Sequence, residues 1–238
     1  LLINDMKVKK KNGNWTFGKN IPKIFDNHIA RSIPDYYHSL DLISNLSTYF
    51  LKENSSCVDI GFSTGTLIEK INQINLDKNI KFVGIEPEIK MVNFFKKKKS
   101  FKKIKKIKIV NKTVENVKLI KSDFVISNFT IQFTNLNNRE KILRKIYNSL
   151  NIGGGFVFFE KIYGNDPFFE KIFNDMLIDF KVRQNFSEQE IITKNKAIRG
   201  IMRPLREEDN LRLLKKAGFK KIQVINQKIN FQGILAIK

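Results

Sequence analysis

Residues 56–66 read SCVDIGFSTGT, and this stretch decides the fold of the chain. A short apolar run meets a turn that opens with Gly61, and an apolar stretch with helical spacing follows over 67–74. The pattern is typical of a buried strand, a glycine-containing turn and a helix. Glycine lets the backbone approach a ligand closely and adopt positive φ values. Thr66 and Glu69 have the spacing of a capping box, which predicts that the helix presents its positive N-terminus to the same turn.

A second predicted strand, over 80–85, ends immediately before Glu86. An acidic side chain at this place, about 20 residues after the first turn, can accept hydrogen bonds from both hydroxyls of a ribose. The turn is not a P-loop and does not match G-x-G-x-x-G, which disfavours a dinucleotide. The strand, glycine turn and helix followed by a strand that ends in Glu form the adenosyl-binding pattern of class I methyltransferase-like folds.

Further apolar runs alternate with helical segments along the chain. Three consecutive glycines, 153–155, predict a turn before the apolar run at 156–162. Asn137 with Glu140 predicts a capping box for the helix that precedes these glycines. The alternation from 56 to 162 predicts an α/β, Rossmann-like class I methyltransferase fold. We expect a mostly parallel, doubly wound, seven-stranded sheet with a C-terminal antiparallel hairpin and extra N-terminal helices. The remaining predicted strands are 107–110, 122–129, 156–162, 220–224 and 228–237.

The segments around this sheet have mostly helical spacing. Ser187 with Glu190 predicts a capping box that opens one helix, and Trp15 is expected to pack on the core. We expect a mobile tail over 1–14 and a single domain over 15–238. Within that domain, 15–51 is predicted as a helical cap and 163–205 as a helical insertion. The other predicted helices cover 21–33, which Pro34 ends, then a stretch that follows the link at 31–37 and runs to about 51, and finally 168–180 and 206–217.

Length and composition limit the classes of protein. The chain has 238 residues, of which 42% are hydrophobic, enough for one domain with a substantial core. Cys57 is the only cysteine, which excludes an intramolecular disulfide and indicates a reducing compartment. Two histidines and one cysteine make a zinc cluster unexpected, so no metal is predicted. No apolar run reaches membrane-spanning length, and polar residues follow residues 1–3 at once, so we expect a cytoplasmic protein without a membrane partner.

The formal net charge is +21, from 44 basic and 23 acidic residues. Clustered lysine neutralises phosphates, which favours a polyanion such as tRNA. Heavy use of Lys, Asn, Ile and Phe also fits the coding bias of an AT-rich genome. The densest run covers 96–99 and continues with five lysines between 102 and 108. We interpret it as a solvated face, with direct tRNA contact as the less favoured alternative.

Seven blocks of sequence, in order, resemble the carboxy-S-adenosyl-L-methionine synthase family, which has the class I methyltransferase fold. The resemblance extends over nearly the whole chain, from Asn14 to Lys238. The blocks at 30–37 and 126–133 are more specific than the glycine turn. The blocks are NWTF at 14–17, ARSIPDYY at 30–37, VDIGFSTGT at 58–66, ISNFTIQF at 126–133, KIYNSLNIGGG at 145–155, DFKVRQNFSEQEI at 179–191 and KKAGF at 215–219.

The resemblance implies an activity, a cofactor and partners. Members of the family combine S-adenosyl-L-methionine with prephenate, capture the carbon dioxide that prephenate releases on a sulfonium ylide, and form carboxy-S-adenosyl-L-methionine and phenylpyruvate. A partner enzyme uses this product to carboxymethylate hydroxyuridine at a tRNA wobble position. The family also implies a homodimer.

The resemblance implies binding residues but assigns no catalytic residue. Relatives tend to have Cys at the position of Phe62, and an Asp-Asn pair in place of Glu86 and Pro87. They have Asp-Ile in place of Thr113 and Val114, so an acceptor for the adenine amine is weakened here. The implied positions are Tyr36 at the carboxylate end of the ligand, Gly61, Phe62 and Ser63 beneath its methionine part, Glu86 and Pro87 at the ribose, Thr113 and Val114 beside the adenine, and Asn128 after the fourth strand.

The largest departure from the family is Asn195, which takes the place of an arginine that holds the added carboxyl group. Arginine offers a charged, bidentate fork to a carboxylate, whereas asparagine offers one neutral amide. Loss of such a pair in a desolvated pocket costs roughly 2–4 kcal/mol of binding free energy. The sequence offers as replacements Lys194, Lys196, Arg199, Arg183 and Arg203.

Two other functions remain open. An ordinary S-adenosyl-L-methionine-dependent methyltransferase, for example one acting on RNA, uses the same turn and Glu86 but needs neither Tyr36 nor an anion-holding arginine. A non-catalytic ligand-binding or tRNA-binding derivative of the fold is the other alternative, because Thr113 and Asn195 together suit a site that has lost its activity.

Overall fold

The computed structural model describes residues 9–11, 14–16 and 21–238, with side chains described over 22–238. Its strands are β1 (Lys9–Lys11), β2 (Asn14–Thr16), β3 (Ser56–Ile60), β4 (Lys81–Ile85), β5 (Ile107–Val110), β6 (Ser122–Asn128), β7 (Leu150–Tyr163), β8 (Leu205–Arg206), β9 (Lys221–Lys228) and β10 (Phe231–Ile237). Its helices are α1 (Ile21–Ser32), α2 (Tyr36–Phe50), α3 (Thr66–Ile74), α4 (Ile89–Lys97), α5 (Leu136–Ser149), α6 (Pro167–Arg183), α7 (Glu188–Ala197) and α8 (Glu207–Ala217).

The main sheet has the strand order β5-β4-β3-β6-β7-β10-β9, and the short β8 pairs with β7. The first five strands of this order pair in parallel, whereas β10 is antiparallel to both β7 and β9. This arrangement confirms the predicted doubly wound sheet with a C-terminal antiparallel hairpin. Strands β4 and β5 lie to one side of β3, and after β5 the chain returns and places β6 on the other side of β3. The crevice at the carboxyl ends of β3 and β6, where the strand order reverses, is therefore the expected ligand position.

Successive residues of the central strands enter two separate cores, because side chains alternate across a sheet. In β3, Cys57 belongs to the core that contains α2, α3 and α4, and Val58 to the core that contains α5 and α8. In β6, Phe124 and Val125 divide in the same way. Both faces of the sheet are therefore covered by helices, which is why these strands read as continuous apolar runs.

Two predicted capping boxes are wrong, and the third is confirmed. Gly65, at φ 81°, caps α3 without a side chain, while Thr66 donates a 2.7 Å hydrogen bond to Asp26 and Glu69 pairs with Lys98. Contacts with distant residues therefore replace the local cap.

At the start of α5 the cap lies two residues earlier than predicted. The extended backbone of Asn135 lets its side chain accept the amide of Asn137 at 3.0 Å, and Glu140 pairs with Arg144 instead. Ser187 and Glu190 form the predicted reciprocal box at the start of α7.

The glycines 153–155 lie inside the long strand β7 and not in a separate turn; only Gly153 among them has a positive φ, of 78°. Within the predicted tail, β1 pairs with β2 in an antiparallel ribbon. The side chain of Trp15 and the rest of the predicted tail lie outside the described residues. None of the described helices combines the length and the apolar character that crossing a membrane requires.

Candidate functional site

A cavity of about 870 Å³ opens at the carboxyl edge of β3, β4 and β6. Its floor is formed by the residues that follow these strands, and helices α1, α6 and α7 form the opposite wall. Parallel strands all end at the same edge of the sheet, so residues far apart in sequence meet here. The volume is within the range of small-molecule sites.

The glycine turn approaches the cavity with its bare backbone. Gly61 has φ 76°, and a Cβ added there would lie 2.2 Å from Oγ1 of Thr130. Its amide donates a 2.7 Å hydrogen bond to the carbonyl of Ile85, which holds the turn against the end of β4. Only glycine fits this position, because both the positive φ and the contact with Thr130 exclude a side chain.

Two buried carboxyl groups lie beside the turn. Glu86, 7% exposed, accepts the amides of Ser63 at 3.0 Å and Glu88 at 2.9 Å, one with each oxygen. Burial raises the pKa of Glu86 to about 7. Burial, followed by the nearby Glu86, also raises the pKa of Asp59 to about 7. One oxygen of Asp59, Oδ2, is buried without a hydrogen-bond partner among the described residues, so it is an available acceptor.

The end of β6 adds a second available acceptor and two aromatic rings. Oδ1 of Asn128 is buried and has no hydrogen-bond partner within the described chain. Phe129 follows with φ 55° and contacts Tyr36, whose ring is 6.4 Å away. The hydroxyl of Tyr36 donates a long, 3.5 Å hydrogen bond to Asp26, and burial, followed by Asp26, raises the pKa of Tyr36. Tyr36 therefore stays a neutral donor.

The cavity brings together nine of the ten residues that the sequence suggested. The exception is Val114, whose side chain packs in the core with α5 and α8 and is absent from the described lining. Its carbonyl accepts a 2.9 Å hydrogen bond from Lys145, which fixes the turn after β5 in that orientation. The nine residues in the lining are Tyr36, Gly61, Phe62, Ser63, Glu86, Pro87, Thr113, Asn128 and Asn195.

The cavity lining also contains three lysines, of which the sequence suggested only one. Lys161 near the end of β7, Lys181 on α6 and Lys194 on α7 all line the cavity. Of the five proposed replacements for the missing arginine, only Lys194 is in the described lining. The position of Lys161 at the carboxyl edge of a strand could have indicated it. Nothing local distinguishes Lys181.

Lys194 is held by two side chains of α1. Its Nζ donates to Oγ of Ser32 at 2.8 Å and lies 3.0 Å from Nε2 of His28. Burial, followed by Lys194, lowers the pKa of His28 to about 3, so this ring is neutral and its Nε2 can accept a hydrogen bond from the Lys194 ammonium group. Burial, followed by Lys181, lowers the pKa of Lys194 to about 7. Lys194 is thus charged or neutral according to what binds beside it.

Comparisons with known proteins agree with this geometry. A family model described as a methyltransferase domain matches residues 58–156. The chain is 33% identical, over 94% of its length and 97% of the relative's, to a protein of Staphylococcus epidermidis named carboxy-S-adenosyl-L-methionine synthase. A protein of the same name from Campylobacter jejuni is 32% identical over 94% of both chains. Among solved structures, phosphoethanolamine N-methyltransferase 2 of Haemonchus contortus in complex with S-adenosyl-L-methionine matches with a TM-score of 0.66 at 14% identity. The match covers 92% of this chain and 57% of that one, and it shows the fold alone.

Proposed function

The chain belongs to the carboxy-S-adenosyl-L-methionine synthase family, and from this premise we propose that it converts S-adenosyl-L-methionine and prephenate to carboxy-S-adenosyl-L-methionine and phenylpyruvate. One observation supports this reaction above the others. A single cavity is lined by a glycine turn and two carboxyl groups, from β3 and β4, and also by three lysines, from β7, α6 and α7. A cationic adenosyl ligand suits the carboxyl groups, and an anionic second substrate suits the lysines.

The residues of the cavity fit S-adenosyl-L-methionine. Gly61 lines the cavity in a turn that is packed tightly against Thr130, and Glu86 faces the cavity with oxygens that can still accept hydrogen bonds from ribose hydroxyls. The unpartnered acceptors on Asp59 and Asn128 suit the ammonium group of the methionine part. Thr113 and Pro87 line the side expected for the adenine and ribose.

S-adenosyl-L-methionine would supply a sulfonium-activated methyl carbon, on which a C–H bond is replaced by a bond to the carboxyl carbon. The proton leaves as water with the hydroxide that prephenate expels when it loses its ring carboxyl group and becomes aromatic. Glu86 and Asn128 orient the ligand, and Tyr36 donates from its hydroxyl toward a carboxylate. Apolar lining residues, among them Leu177 and Phe231, exclude water from the space between the two substrates. Little acid–base chemistry is needed, because tight placement accounts for most of the rate of such a reaction.

The direct test incubates the purified protein with S-adenosyl-L-methionine and prephenate and analyses the products by mass spectrometry. We expect carboxy-S-adenosyl-L-methionine and phenylpyruvate in equal amounts, and neither product when prephenate is left out. The Staphylococcus epidermidis relative serves as the positive control. Absence of product under conditions in which that relative is active would refute the proposal.

The affinity for S-adenosyl-L-methionine is expected to rise with pH up to about 7 and then to level off. The pKa of Glu86 is about 7, and ribose hydroxyls donate better to the ionised carboxylate, so binding favours loss of its proton. Glu86→Gln should weaken the affinity at pH 8 about 10- to 100-fold and reduce the pH slope, leaving the part due to Asp59. Calorimetric titration measures both effects.

Glu208→Gln is the matched control for this substitution. Glu208 is an exposed residue of α8 that is absent from the cavity, and we expect its variant to bind with the affinity and pH profile of the wild type. A Glu86→Gln variant with an unchanged dissociation constant would exclude Glu86 from the ribose site.

Asn195→Arg is expected to strengthen the binding of carboxy-S-adenosyl-L-methionine by roughly one to two orders of magnitude. The substitution provides a charged fork at a position that lines the cavity, and a charge-assisted hydrogen bond is worth about 1.5–3 kcal/mol. The dissociation constants of the carboxylated and uncarboxylated ligands are compared, and only the first should change. If the wild type and Asn195→Arg bind carboxy-S-adenosyl-L-methionine with equal dissociation constants, Asn195 does not limit this binding.

The asparagine at position 195 is also the observation that favours the second candidate, an ordinary methyltransferase acting on RNA. Transfer of a labelled methyl group to tRNA without dependence on prephenate would favour it over the synthase. The non-catalytic alternative would be favoured by tRNA affinity without any binding of an adenosyl ligand. A steep dependence of that affinity on salt concentration would indicate phosphate contacts.

We further propose that the product serves wobble-uridine modification of tRNA by a separate enzyme, and that the chain forms a homodimer. Several apolar side chains of α6 are exposed, which supports an interface; they include Phe168, Phe169, Met176 and Ile178. Light scattering after gel filtration tests the dimer. Lysines 96, 97 and 99 are exposed, so the interpretation of this run as a solvated face stays a prediction.

A further inference from the structure

Three lysines of one wall converge on the cavity from three separate elements. Lys161 comes from β7, Lys181 from α6 and Lys194 from α7. Lys181 is only 9% exposed. Lys181 is close enough to Lys161 and Lys194 for their charges to interact: the charge of Lys161 lowers the pKa of Lys181, and the charge of Lys181 lowers the pKa of Lys194. The three ammonium groups therefore form one cationic cluster, which we call the lysine wall.

The described part of the chain provides no carboxylate that neutralises the lysine wall. None of its three ammonium groups lies within ion-pair distance of an Asp or Glu there. Glu170 raises the pKa of Lys161 from a greater distance, and its oxygens accept the amide of Gly164 and the side chain of Asn174. Glu190 lines the cavity, but its Oε2 caps α7 at Ser187.

Lys181 is buried and Lys161 and Lys194 are half-buried, and burial is the main cause that lowers the pKa of all three. Such an arrangement has no benefit for the fold. It is typical of a binding site in which the ligand supplies the opposite charge. Among the surrounding groups, His28 is neutral, and Arg31, which also lines the cavity, adds a further positive charge while its Nε and Nη2 donate to the carbonyls of Gln184 and Asn185.

We propose that Lys161, Lys181 and Lys194 form the recognition site for the carboxylates of a dicarboxylate second substrate, an assignment that rests on the proposed function. Three cations exceed what one carboxylate requires, whereas prephenate carries two. Lys161 stands on β7, which β6 separates from β3 and β4, so the lysine wall and the pair Asp59 and Glu86 come from different parts of one cavity lining. The lysine wall would thereby select the second substrate and direct it toward the adenosyl ligand.

The test measures binding without turnover. Prephenate is titrated calorimetrically into protein saturated with S-adenosylhomocysteine, and phenylpyruvate, a monocarboxylate, is titrated in parallel. We expect Lys161→Met, Lys181→Met and Lys194→Met each to weaken prephenate binding about tenfold or more, and to reduce its advantage over phenylpyruvate. The affinity for S-adenosylhomocysteine should stay within about twofold of the wild type.

Lys171→Met is the matched control, since Lys171 is an exposed residue of the same helix as Lys181 and pairs with Asp175. A second readout is the proton balance. At pH 8 the wild type should take up protons when prephenate binds, because the anion returns Lys194 and Lys181 to their charged forms. Titrations in two buffers with different ionisation enthalpies measure this uptake, which should fall in Lys194→Met.

Unchanged prephenate affinity in all three variants would overturn the proposal. So would a loss confined to carboxy-S-adenosyl-L-methionine, because the lysines would then hold the product. A different result would contradict the proposed function alone. Prephenate binding that depends on the lysines but yields no carboxylated product would contradict the reaction and support the lysine site. Normal turnover in lysine variants with unchanged KM for prephenate would contradict only the site.

Discussion

Gly61→Ala is expected to destabilise the protein by roughly 2–5 kcal/mol and to abolish measurable binding of S-adenosyl-L-methionine. The backbone at φ 76° is strained for alanine by about 1–2 kcal/mol. The added methyl group would lie 2.2 Å from Oγ1 and 2.9 Å from Cβ of Thr130, so the turn or the loop after β6 must shift, which costs about 1–3 kcal/mol more. Urea unfolding and calorimetric titration measure the two effects.

Gly153→Ala separates the steric contribution from that of the backbone. Gly153 has nearly the same φ, 78°, but nothing lies within 4 Å of an added Cβ. We expect this variant to lose only about 1–2 kcal/mol and to bind S-adenosyl-L-methionine normally. Equal losses in both variants would mean that the contact with Thr130 relaxes without cost and that the glycine turn is not closely confined.

Lys181→Met is expected to have the opposite effect on stability, raising the free energy of unfolding at pH 7 by roughly 2–3 kcal/mol. Burial lowers the pKa of Lys181 to about 8, from an ordinary value of 10.5. The unfolded chain therefore binds more protons between these two values, so the penalty is fully present below pH 8 and disappears as the pH rises to about 10.5. Methionine fills a similar volume without a charge.

The pH dependence of unfolding provides the check on this variant. Wild-type stability should increase between pH 8 and 10.5 more steeply than that of Lys181→Met. Lys161, Lys194 and His28 face the same space and contribute their own titrations, so the difference between the two proteins is the quantity to measure. Lys171→Met, the control, should change stability by less than about 0.5 kcal/mol. A destabilised Lys181→Met would indicate that Lys181 has a structural role. Gain of stability with loss of prephenate binding would indicate a functional one.

The parallel sheet could be predicted because its information is local. Each central strand is an apolar run, and turns with glycine or helix caps separate the runs from the helical segments. The exact caps could not be predicted, since Thr66 and Glu69 bond with Asp26 and Lys98, which are distant in sequence. Tertiary contacts therefore decided with which partners the side chains of Thr66 and Glu69 form their bonds.

The resemblance suggested nine residues that do line the cavity, because seven of them lie at or just after the ends of parallel strands, and those ends meet at one edge of the sheet. Val114 was the exception. It occupies a short turn after β5, and only the packing of α5 determines which way its side chain faces. The ligand contacts of the other nine residues stay predictions that the titrations above address.

The sequence by itself indicated the half of the cavity that we propose for the adenosyl ligand: one helix and one strand separate the turn at Gly61 from the acid at Glu86, and local periodicity sets the geometry of this unit. Only the tertiary structure decided the other half. Lys161, Lys181 and Lys194 stand on three different elements of a chain that contains many lysines, and the sequence pointed only to Lys194, through its neighbour Asn195. Only the folded chain brings the three into one cavity, with Lys181 buried, the other two half-buried and none of them paired with a carboxylate among the described residues.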